Sequence, residues 1–319
     1  IFMRIRTATG VDFTYYKQAT ILRRISRRML LHKIDALEQY VRYLQENPTE
    51  VGILYQDILI NVTSFFREPE TFTALKNVVF PSILENRSSD TPLRVWVPGC
   101  STGEEAYSLA MCFSEFIKER DVSHPIQFFA SDIDETAIEK ARQGLYPENI
   151  LQDVSPERIR RFFVKTEHGY QISKPIRELC IFARQNLIKD PPFSKMDLIS
   201  CRNLMIYFGP LLQKKALPIM HYALNPSGYL MLGKSESIGE FADLFSLVDK
   251  NSRIYSKKTS SSELHFDGER GQVREKAAVK KKAEEPAAGG TDIQKEADNI
   301  ILNRYSPAAT MIIAAARAA

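Results

Sequence analysis

The sequence predicts an α/β protein, in which helices cover a mainly parallel sheet and a small all-helical domain precedes them. Three observations support this fold class. Apolar residues recur at three- and four-residue spacing near the start of the chain, which is typical of helices. From residue 93 onward, short β-prone runs alternate with helical patterns, as they do in parallel sheets. A glycine-containing turn joins the first β-prone run directly to a helix.

Length and composition are those of an ordinary globular protein. The chain has 319 residues, of which 44% are hydrophobic and 26% charged, and its formal net charge is +4. This length predicts about two domains, and the composition excludes a wholly disordered chain, a fibre and a disulfide-dense mini-protein. No run approaches the ~18 consecutive apolar residues that a membrane span needs, so we expect no membrane insertion.

The cysteines and the first residues indicate the cellular setting. Cys100, Cys112, Cys180 and Cys201 form no C-x-x-C pair and have no histidine at ligand spacing, so we expect no metal site. Reduced thiols in a cytoplasmic protein are the simpler interpretation. Residues 1–10 contain no apolar signal-peptide core, and the initial isoleucine suggests a piece of a longer protein.

The helical patterns define an N-terminal domain that we place at residues 1–70. Ile21, Ile25 and Met29 repeat at four-residue spacing, and Asn47-Pro48 marks a break between helices. The predicted helices span residues 16–32, 34–45 and 50–59, and a further helix spans 71–84.

A larger α/β domain follows, which we place at residues 71–258. The predicted strands are 93–97, 126–130, 181–184, 196–200 and 229–232, and the helices are 104–119, one starting near Glu135, 210–223 and 241–244. A polar, turn-containing stretch near 158–177 predicts a small β insertion. Residues 259–299 lack large apolar side chains and predict a linker, and residues 300–319 resemble the truncated start of a PAS sensor domain.

The turn after the first strand carries the first chemical signal. It reads Pro98-Gly99-Cys100-Ser101-Thr102-Gly103-Glu104-Glu105, where strand, glycine turn and helix follow one another as in nucleotide-type pockets. Neither the dinucleotide pattern nor the P-loop pattern is present. The two glutamates would repel a phosphate, whereas they suit a ligand with an ammonium group and hydroxyls, such as S-adenosylmethionine. Each glutamate alone could instead complement the helix dipole.

The tip of the second strand carries the second signal. Asp132 follows the glycine turn by some thirty residues, where an acidic side chain can bind ribose hydroxyls. Asp134 is expected to cap the following helix instead, and Ile133 could pack on an adenine ring. The two signals together indicate a Rossmann-like nucleoside site.

Five separated motifs lie in order along the chain, at residues 61–68, 99–107, 131–134, 186–187 and 201–208. Together they resemble the chemotaxis receptor methyltransferase family, CheR, over about residues 13–257. The resemblance implies a Rossmann-like class I methyltransferase domain with a small β-subdomain insertion, preceded by a small all-helical domain. It also implies that S-adenosylmethionine is the methyl donor and that S-adenosylhomocysteine is a product. The implied acceptors are glutamate side chains on the signalling helices of methyl-accepting chemotaxis receptors.

The resemblance also implies which residues form the site. The expected cofactor-binding residues are Asn61, Thr63, Arg67, Gly99, Glu105, Asp132, Asn186, Leu187, Arg202 and Asn203. Among them, Glu105, with Glu104 as a further candidate, would hold the methionine ammonium group, and Asp132 would hold the ribose. Arg67 and Tyr207 would lie near the reacting methyl group as the catalytic residues.

The residue types suit this reaction. A glutamate carboxylate with an ordinary pKa of about 4.3 is ionised at neutral pH, so it needs no general base. The enzyme must supply alignment and remove water. We assign Arg67 a positioning role through charge-assisted hydrogen bonds to the acceptor, and Tyr207 a place against the methyl group. The alternatives are a surface arginine and a core aromatic residue.

Four arginines predict a partner-binding surface on the first long helix. Arg23, Arg24, Arg27 and Arg28 form a basic stripe opposite the apolar face, which would steer a glutamate-bearing receptor helix. A solvated face is the bland alternative. Nucleic acid is a further alternative, which we do not expect because interleaved aromatic residues are missing. Some family members bind a receptor C-terminal peptide through a glycine-containing loop of the β-subdomain. That region has only Gly169 here, so we expect no such tether.

The sequence therefore predicts a protein-glutamate O-methyltransferase that acts in chemotactic adaptation. The main alternative is a sensory module of a larger PAS-containing protein, which binds S-adenosylmethionine or S-adenosylhomocysteine without methylating anything. A methyltransferase for small molecules or nucleic acids is a weaker alternative.

Overall fold

The computed structural model describes residues 1–85 and 91–259. Its first four helices pack into a helical domain with a core of its own. Amphipathic patterning explains this packing, since Ile21 and Ile25 are buried whereas Arg23 and Arg27 of the same helix are exposed. The helices are α1 (Phe2–Thr9), α2 (Gln18–Leu31), α3 (Leu37–Glu46) and α4 (Pro48–Ile58).

The second domain alternates strands and helices. Its strands are β1 (Leu93–Pro98), β2 (Ile126–Asp132), β3 (Leu145–Tyr146), β4 (Phe163–Thr166), β5 (Gly169–Ile172), β6 (Cys180–Arg184), β7 (Met196–Cys201), β8 (Leu224–Leu232), β9 (Phe245–Asp249) and β10 (Ile254–Lys257). Its helices are α5 (Pro69–Ala74), α6 (Phe80–Leu84), α7 (Glu104–Glu119), α8 (Glu135–Gln143), α9 (Pro156–Phe162), α10 (Lys174–Glu178) and α11 (Pro210–Ala223). A π-helical turn, Leu75–Val79, joins α5 to α6, and short 3-10 turns lie at Glu148–Gln152 and Met205–Tyr207.

Seven strands form the central sheet, in the order β6-β2-β1-β7-β8-β10-β9. Neighbouring strands from β6 to β8 run parallel. Strand β10 runs antiparallel to both of its neighbours, β8 and β9. Alternate residues of a strand point to opposite sides of the sheet. A hydrophobic core lies on each side, so both faces of the sheet are covered. Val95 and Val97 of β1 enter the core that contains Phe113 of α7, whereas Trp96 enters the core that contains Met220 of α11. The carboxyl ends of β1, β2 and β7 therefore meet at one open edge.

The remaining strands form a small antiparallel sheet, β3-β5-β4, inserted between α8 and β6. The fold class expected from the sequence is thus confirmed: an all-helical domain, an α/β domain and a β-subdomain within it. The range expected for the insertion, 158–177, does not include β3. A two-residue strand has no periodicity that a sequence pattern could reveal.

One expected helix is wrong. Residues 241–244 form a single turn, in which the Leu244 N–H donates to the Phe241 carbonyl, and the chain then enters β9. Four residues are too few for a helix to propagate. The expected linker, 259–299, and the PAS-like start, 300–319, lie outside the described residues apart from Thr259. In the part of the chain that is described, no helix is long and apolar enough to cross a membrane.

Candidate active site

A cavity lies at the sheet edge where β1, β2 and β7 end. It encloses about 1000 Å³, part of which is open to solvent. The loop between α4 and α5, the turn after β1, the tip of β2 and the loop after β7 line it, and Thr20 and Ile21 of α2 face it from the helical domain. Ligands of open α/β sheets bind at this edge.

Main-chain bonds join the helical domain to the loop after β7. The Lys17 N–H donates to the Tyr207 carbonyl at 2.9 Å, and the Gly209 N–H donates to the Tyr15 carbonyl at 3.0 Å. The Tyr16 ring packs edge-on against Phe208, with centroids 5.3 Å apart. These contacts fix the start of α2 beside the cavity.

The turn after β1 is shaped by its glycines and by β2. The N–H groups of Gly99 and Cys100 both donate to the Ser131 carbonyl, at 2.7 and 3.0 Å. Gly103 begins α7 with a φ of 95°, which L side chains rarely adopt, and an added Cβ would lie 3.0 Å from the Ala141 side chain. Glycine at position 103 therefore lets the turn pack directly against α8.

The two glutamates at the start of α7 have different environments. Glu105 lines the cavity, and its carboxylate accepts a hydrogen bond from Ser200 Oγ at 2.5 Å and lies 3.6 Å from Arg202 Nη1. Burial raises the pKa of Glu105, and the Arg202 guanidinium opposes this rise. Glu104 is turned to the Thr102 hydroxyl, which donates to it at 2.7 Å, and does not line the cavity. Glu105 is therefore the better candidate for an ammonium group.

The two aspartates at the tip of β2 also have different environments. Asp132 lines the cavity, and its carboxylate accepts the backbone N–H groups of Ser101 at 2.8 Å and of Asp134 at 2.9 Å. Burial raises the pKa of Asp132. Asp134 caps α8 by accepting the Thr136 N–H at 3.0 Å, which confirms the expected helix cap.

The loop between α4 and α5 brings Asn61, Thr63 and Arg67 to the same cavity. The Asn61 side chain donates to Asp134 Oδ2 at 2.7 Å and accepts from Ser101 Oγ at 3.0 Å. Asn61 thus links this loop to both the glycine turn and the tip of β2.

The backbone around Arg67 is sharply bent. The residues on either side, Phe66 and Glu68, have φ values of 49° and 59°, a region that costs free energy for non-glycine residues. Arg67 is half-buried as a residue, and its Nη1 donates to the Val62 carbonyl at 3.4 Å in a solvent-exposed hydrogen bond. Arg67 also lines the cavity.

Arg202 holds this bent loop from the opposite side. Its guanidinium is only 1% exposed, and Nη2 donates to the Arg67 carbonyl at 2.6 Å and to Glu68 Oε2 at 3.0 Å. Its Nε and Nη1 atoms have no hydrogen-bond partner. A buried guanidinium with free donors can accept an anionic ligand group.

Asn203 and Tyr207 complete the loop after β7 and line the cavity. Asn203 has a φ of 58°. Burial raises the pKa of Tyr207, and the positive charges of Arg67 and Arg24 oppose this rise. Tyr207 is therefore a neutral phenol near two guanidinium groups.

Glu236 does not line the cavity but holds the loop after β7 that does, and sequence reasoning missed it. It is 5% exposed, and its carboxylate accepts the backbone N–H groups of Gly233 at 2.7 Å, Asn203 at 2.8 Å and Ile206 at 3.2 Å. It thereby fixes the turn that contains Asn203. An acidic residue in the turn after β8, at the same sheet edge, is the signal that could have indicated it.

Asn186 and Leu187 lie in a smaller adjoining cavity of about 370 Å³, which shares Gly99 and Asp132 with the main one. Asn186 Oδ1 accepts the Ile188 N–H at 3.0 Å and so closes a local turn. The structure thus places every sequence-predicted cofactor residue in one of two connected cavities.

The four arginines of α2 do not form one stripe, and this expectation needs a correction at Arg28. Arg23 and Arg27 are exposed and Arg24 is half-buried. Arg28 is only 13% exposed and forms a two-pronged ion pair with Glu50 of α4, at 2.8 and 2.6 Å. The position of Arg28 on the helix turns it inward, where Glu50 holds it.

Within the described ranges, no group of three or more His, Cys, Asp or Glu side chains is arranged to hold a metal ion. Burial raises the pKa of the Cys112 thiol to about 12. Burial also raises the thiol pKa values of Cys100, Cys180 and Cys201. The thiols in this part of the chain are therefore poor nucleophiles.

The fold and the cavity define the class of protein. A glycine turn, a carboxylate at the start of the following helix and an acidic strand tip surround one cavity, which is the arrangement of a nucleoside-cofactor site in a Rossmann-like methyltransferase. Residues 61–254 match the CheR methyltransferase S-adenosylmethionine-binding domain, and residues 1–59 match the CheR methyltransferase all-alpha domain. The chain belongs to the CheR methyltransferase family.

The chain is similar to two curated proteins and to one solved structure. The chain is 41% identical over 245 residues to an uncharacterized 104.1 kDa protein of Rhodobacter capsulatus, in a match that covers 77% of this chain and 26% of that protein. It is 33% identical over 259 residues to the chemotaxis protein methyltransferase of Vibrio parahaemolyticus, which covers 79% of this chain and 93% of that protein. An RNA methyltransferase of Salinibacter ruber, solved with S-adenosylhomocysteine, is 14% identical with a TM-score of 0.35, covering 65% of this chain and 100% of that chain.

Proposed function

We propose that the protein transfers the methyl group of S-adenosylmethionine to glutamate side chains of methyl-accepting chemotaxis receptors. The observation that carries this proposal is the set of charged residues around one cavity, which Glu105, Asp132 and Arg67 all line. The carboxylates suit a cofactor with an ammonium group and ribose hydroxyls. The guanidinium suits an anionic acceptor. The Vibrio parahaemolyticus relative is named a chemotaxis protein methyltransferase, which supports a methyltransferase role in chemotaxis.

Glu105 and Asp132 are assigned to the cofactor. An ammonium group beside Glu105 would stabilise its ionised form, which burial alone disfavours. The two oxygens of Asp132 each accept one backbone N–H, which fixes the plane of the carboxylate. Since each oxygen has a further lone pair, ribose hydroxyls can donate to Asp132 without displacing these bonds.

Arg202 is assigned to the anionic end of the cofactor. Arg202 lines the cavity, its Nε and Nη1 atoms are buried without a hydrogen-bond partner, and Nη1 lies 3.6 Å from Glu105 Oε2. A ligand with adjacent ammonium and carboxylate groups would therefore meet the opposite charge at each of its two groups.

The transfer step requires no proton movement by the protein. The bound cofactor supplies a methyl group carried on a sulfonium. An ionised glutamate carboxylate, with a pKa of about 4.3 in water, forms the new C–O bond while the C–S bond breaks, and the electron pair of that bond remains on sulfur. The protein's task is to align the carboxylate with the methyl group and to exclude water.

Arg67 and Tyr207 are assigned to that alignment. Arg202 fixes the Arg67 backbone through its carbonyl, so the Arg67 guanidinium can hold an incoming carboxylate by charge-assisted hydrogen bonds. A tight two-pronged pair would lower the nucleophilicity of the carboxylate, so Arg67 positions it and does not activate it. Tyr207, a neutral phenol beside Arg67, packs near the methyl group.

The arginines of α2 other than Arg28 are assigned to the receptor. Arg23, Arg24 and Arg27 lie on the helix whose residue Thr20 reaches the cavity. A glutamate-bearing helix would be attracted to this face before an acceptor side chain enters the cavity. Docking through the helical domain, without a receptor C-terminal tether on the β-subdomain, completes the proposal, which places the reaction in the cytoplasm.

A transfer assay tests the proposal. The protein is incubated with S-adenosylmethionine carrying a tritiated methyl group and with cytoplasmic fragments of candidate receptors, and we expect base-labile label in the receptor fraction. Base-stable label, or label in nucleic acid added to the same reaction, contradicts it. Binding of S-adenosylhomocysteine by calorimetry without any methyl transfer would support a cofactor-binding sensory module instead.

A further inference from the structure

A tyrosine of the small β-sheet reaches the turn that shapes the cofactor cavity. Tyr146, on β3, donates its hydroxyl hydrogen to the Thr102 carbonyl at 2.6 Å. Thr102 lies in the turn between Gly99 and Gly103. Burial raises the pKa of Tyr146 well above its ordinary value, so the phenol remains protonated and can donate.

The same ring supports the loop that carries Arg67. Phe65, two residues before Arg67, packs edge-on against Tyr146 with ring centroids 4.8 Å apart. Phe65 also packs against Phe163 of β4, at 5.6 Å. The glycine turn and the Arg67 loop thus both rest on the β-subdomain through Tyr146 and its neighbour.

Gly169 is explained by this arrangement. It has a φ of 132°, and an added Cβ would lie 2.1 Å from the Tyr146 carbonyl oxygen. Only glycine allows β5 to approach β3 this closely. Packing against the Tyr146 backbone therefore requires glycine at position 169. This reason for the glycine does not involve a peptide-binding loop.

We propose that Tyr146 is a positioning residue, through which the β-subdomain holds the glycine turn in the shape that binds the cofactor. This rests on the proposed function, because it concerns the S-adenosylmethionine site. The β-subdomain thereby acts as a brace for the cofactor cavity. Without the hydroxyl of Tyr146, the Thr102 carbonyl loses the part-buried hydrogen bond that Tyr146 donates, and the turn is free to relax.

The chain offers a matched control in Tyr107. Its hydroxyl also donates to a backbone carbonyl, that of Ala141, at 2.7 Å, and its ring is also buried. The two rings are neighbours, with centroids 6.3 Å apart. The Tyr107 bond joins α7 to α8, whereas the Tyr146 bond holds the glycine turn.

Calorimetric titration of S-adenosylhomocysteine into wild type, Tyr146→Phe and Tyr107→Phe tests the proposal. The loss of one hydrogen bond corresponds to about a fivefold change in an equilibrium constant. We therefore expect Tyr146→Phe to raise the Kd about fivefold and Tyr107→Phe to leave it unchanged. Urea unfolding should show similar losses of stability in both variants. Tyr146→Phe should also raise the KM for S-adenosylmethionine while kcat is retained.

Equal Kd values for Tyr146→Phe and wild type, or equal changes in the two variants, overturn the proposal. If the wild type itself does not bind S-adenosylhomocysteine, the proposed function fails as well, and the two failures are thereby distinguished. A folded Gly169→Ala variant provides a second test, since its added Cβ displaces Tyr146. We expect it to bind S-adenosylhomocysteine at least as weakly as Tyr146→Phe. Binding as tight as wild type would contradict the proposal that the β-subdomain positions the glycine turn.

Discussion

The charges around the cavity and the arginines on the outer face of α2 are held in different ways. Arg202 is 1% exposed and Glu236 is 5% exposed, and both are fixed by bonds to the backbone. Arg23 and Arg27 are exposed to solvent. Charges fixed in a buried site act through geometry, whereas exposed charges act at a distance and are screened by salt. Substitutions in the two regions should therefore affect different measured quantities.

The largest effect is expected at Arg67. Arg67→Ala should lower kcat about 100-fold or more, because misplacing a reacting group has a cost of this size. The affinity for S-adenosylhomocysteine should change little, since Arg67 is assigned to the acceptor. Steady-state kinetics and calorimetry on the same preparations measure the two quantities, with Arg23→Ala as the control on the exposed face. Unchanged kcat, or a loss confined to cofactor affinity, would remove Arg67 from its assigned role.

Arg28 should behave as a structural residue although it lies on the arginine-rich helix. Arg28→Ala removes the arginine that pairs with Glu50, whose side chain is 4% exposed, and leaves Tyr40 and His32 beside it. The substitution should lower the free energy of unfolding by about 3 kcal/mol. Denaturant unfolding at neutral pH measures this. Arg27→Ala is the matched control and should change stability by less than about 0.5 kcal/mol. Equal effects of the two substitutions would contradict the distinction within α2.

The Arg28–Glu50 pair also predicts a pH dependence. Burial raises the pKa of Glu50, but hydrogen bonds from Arg28, Tyr40 and His32 outweigh it, so the net pKa lies below its ordinary value of 4.5. The stability contributed by Glu50 is therefore present above pH 4.5 and is lost as the pH falls through the lowered pKa of the folded protein. Unfolding measured between pH 6 and 3 should show this loss in wild type and a smaller loss in Arg28→Ala.

A smaller effect is expected at Asp132. Asp132→Ala should weaken S-adenosylhomocysteine binding about tenfold, since hydrogen bonds to a charged group are lost. Glu104→Gln is the matched control, because Glu104 is bonded to Thr102 and does not line the cavity. Calorimetry should find unchanged affinity in Glu104→Gln. The opposite ranking of these two variants would refute the assignment of the acidic residues.

The smallest effect is expected on the exposed face of α2. The double variant Arg23→Ala/Arg27→Ala should raise the KM for a receptor fragment about threefold at low salt while kcat is retained, because it weakens steering only. The difference from wild type should shrink as the salt concentration rises. A salt-independent loss of kcat would place these arginines in the alignment step instead.

The sequence was sufficient for features that depend on near neighbours. Alternation of strands and helices predicted the α/β domain, and α7 and α11 begin and end where the apolar spacing predicted. Asp132 and Asp134 were separated correctly as strand tip and helix cap, because a cap depends on backbone N–H groups two residues away.

Features that depend on distant residues were not predictable. Glu104 and Glu105 are adjacent, and only the rotation of α7 against the sheet decides which one faces the cavity. Arg28 turns inward because of Glu50, which lies on another helix 22 residues away. The proposed support of the glycine turn by Tyr146 depends on β3, which has only two residues. So short a strand shows no alternation of apolar and polar residues that could predict it. In each case a tertiary contact determines the role.

The most direct test is to locate the transferred methyl group by mass spectrometry. A receptor cytoplasmic fragment is incubated with S-adenosylmethionine and either wild type or Arg67→Ala, then digested and sequenced. We expect methyl esters on glutamate side chains of the receptor helices with wild type, and almost none with Arg67→Ala. Methyl groups on other residue types, or equal ester formation by both proteins, would contradict transfer to a glutamate aligned by Arg67.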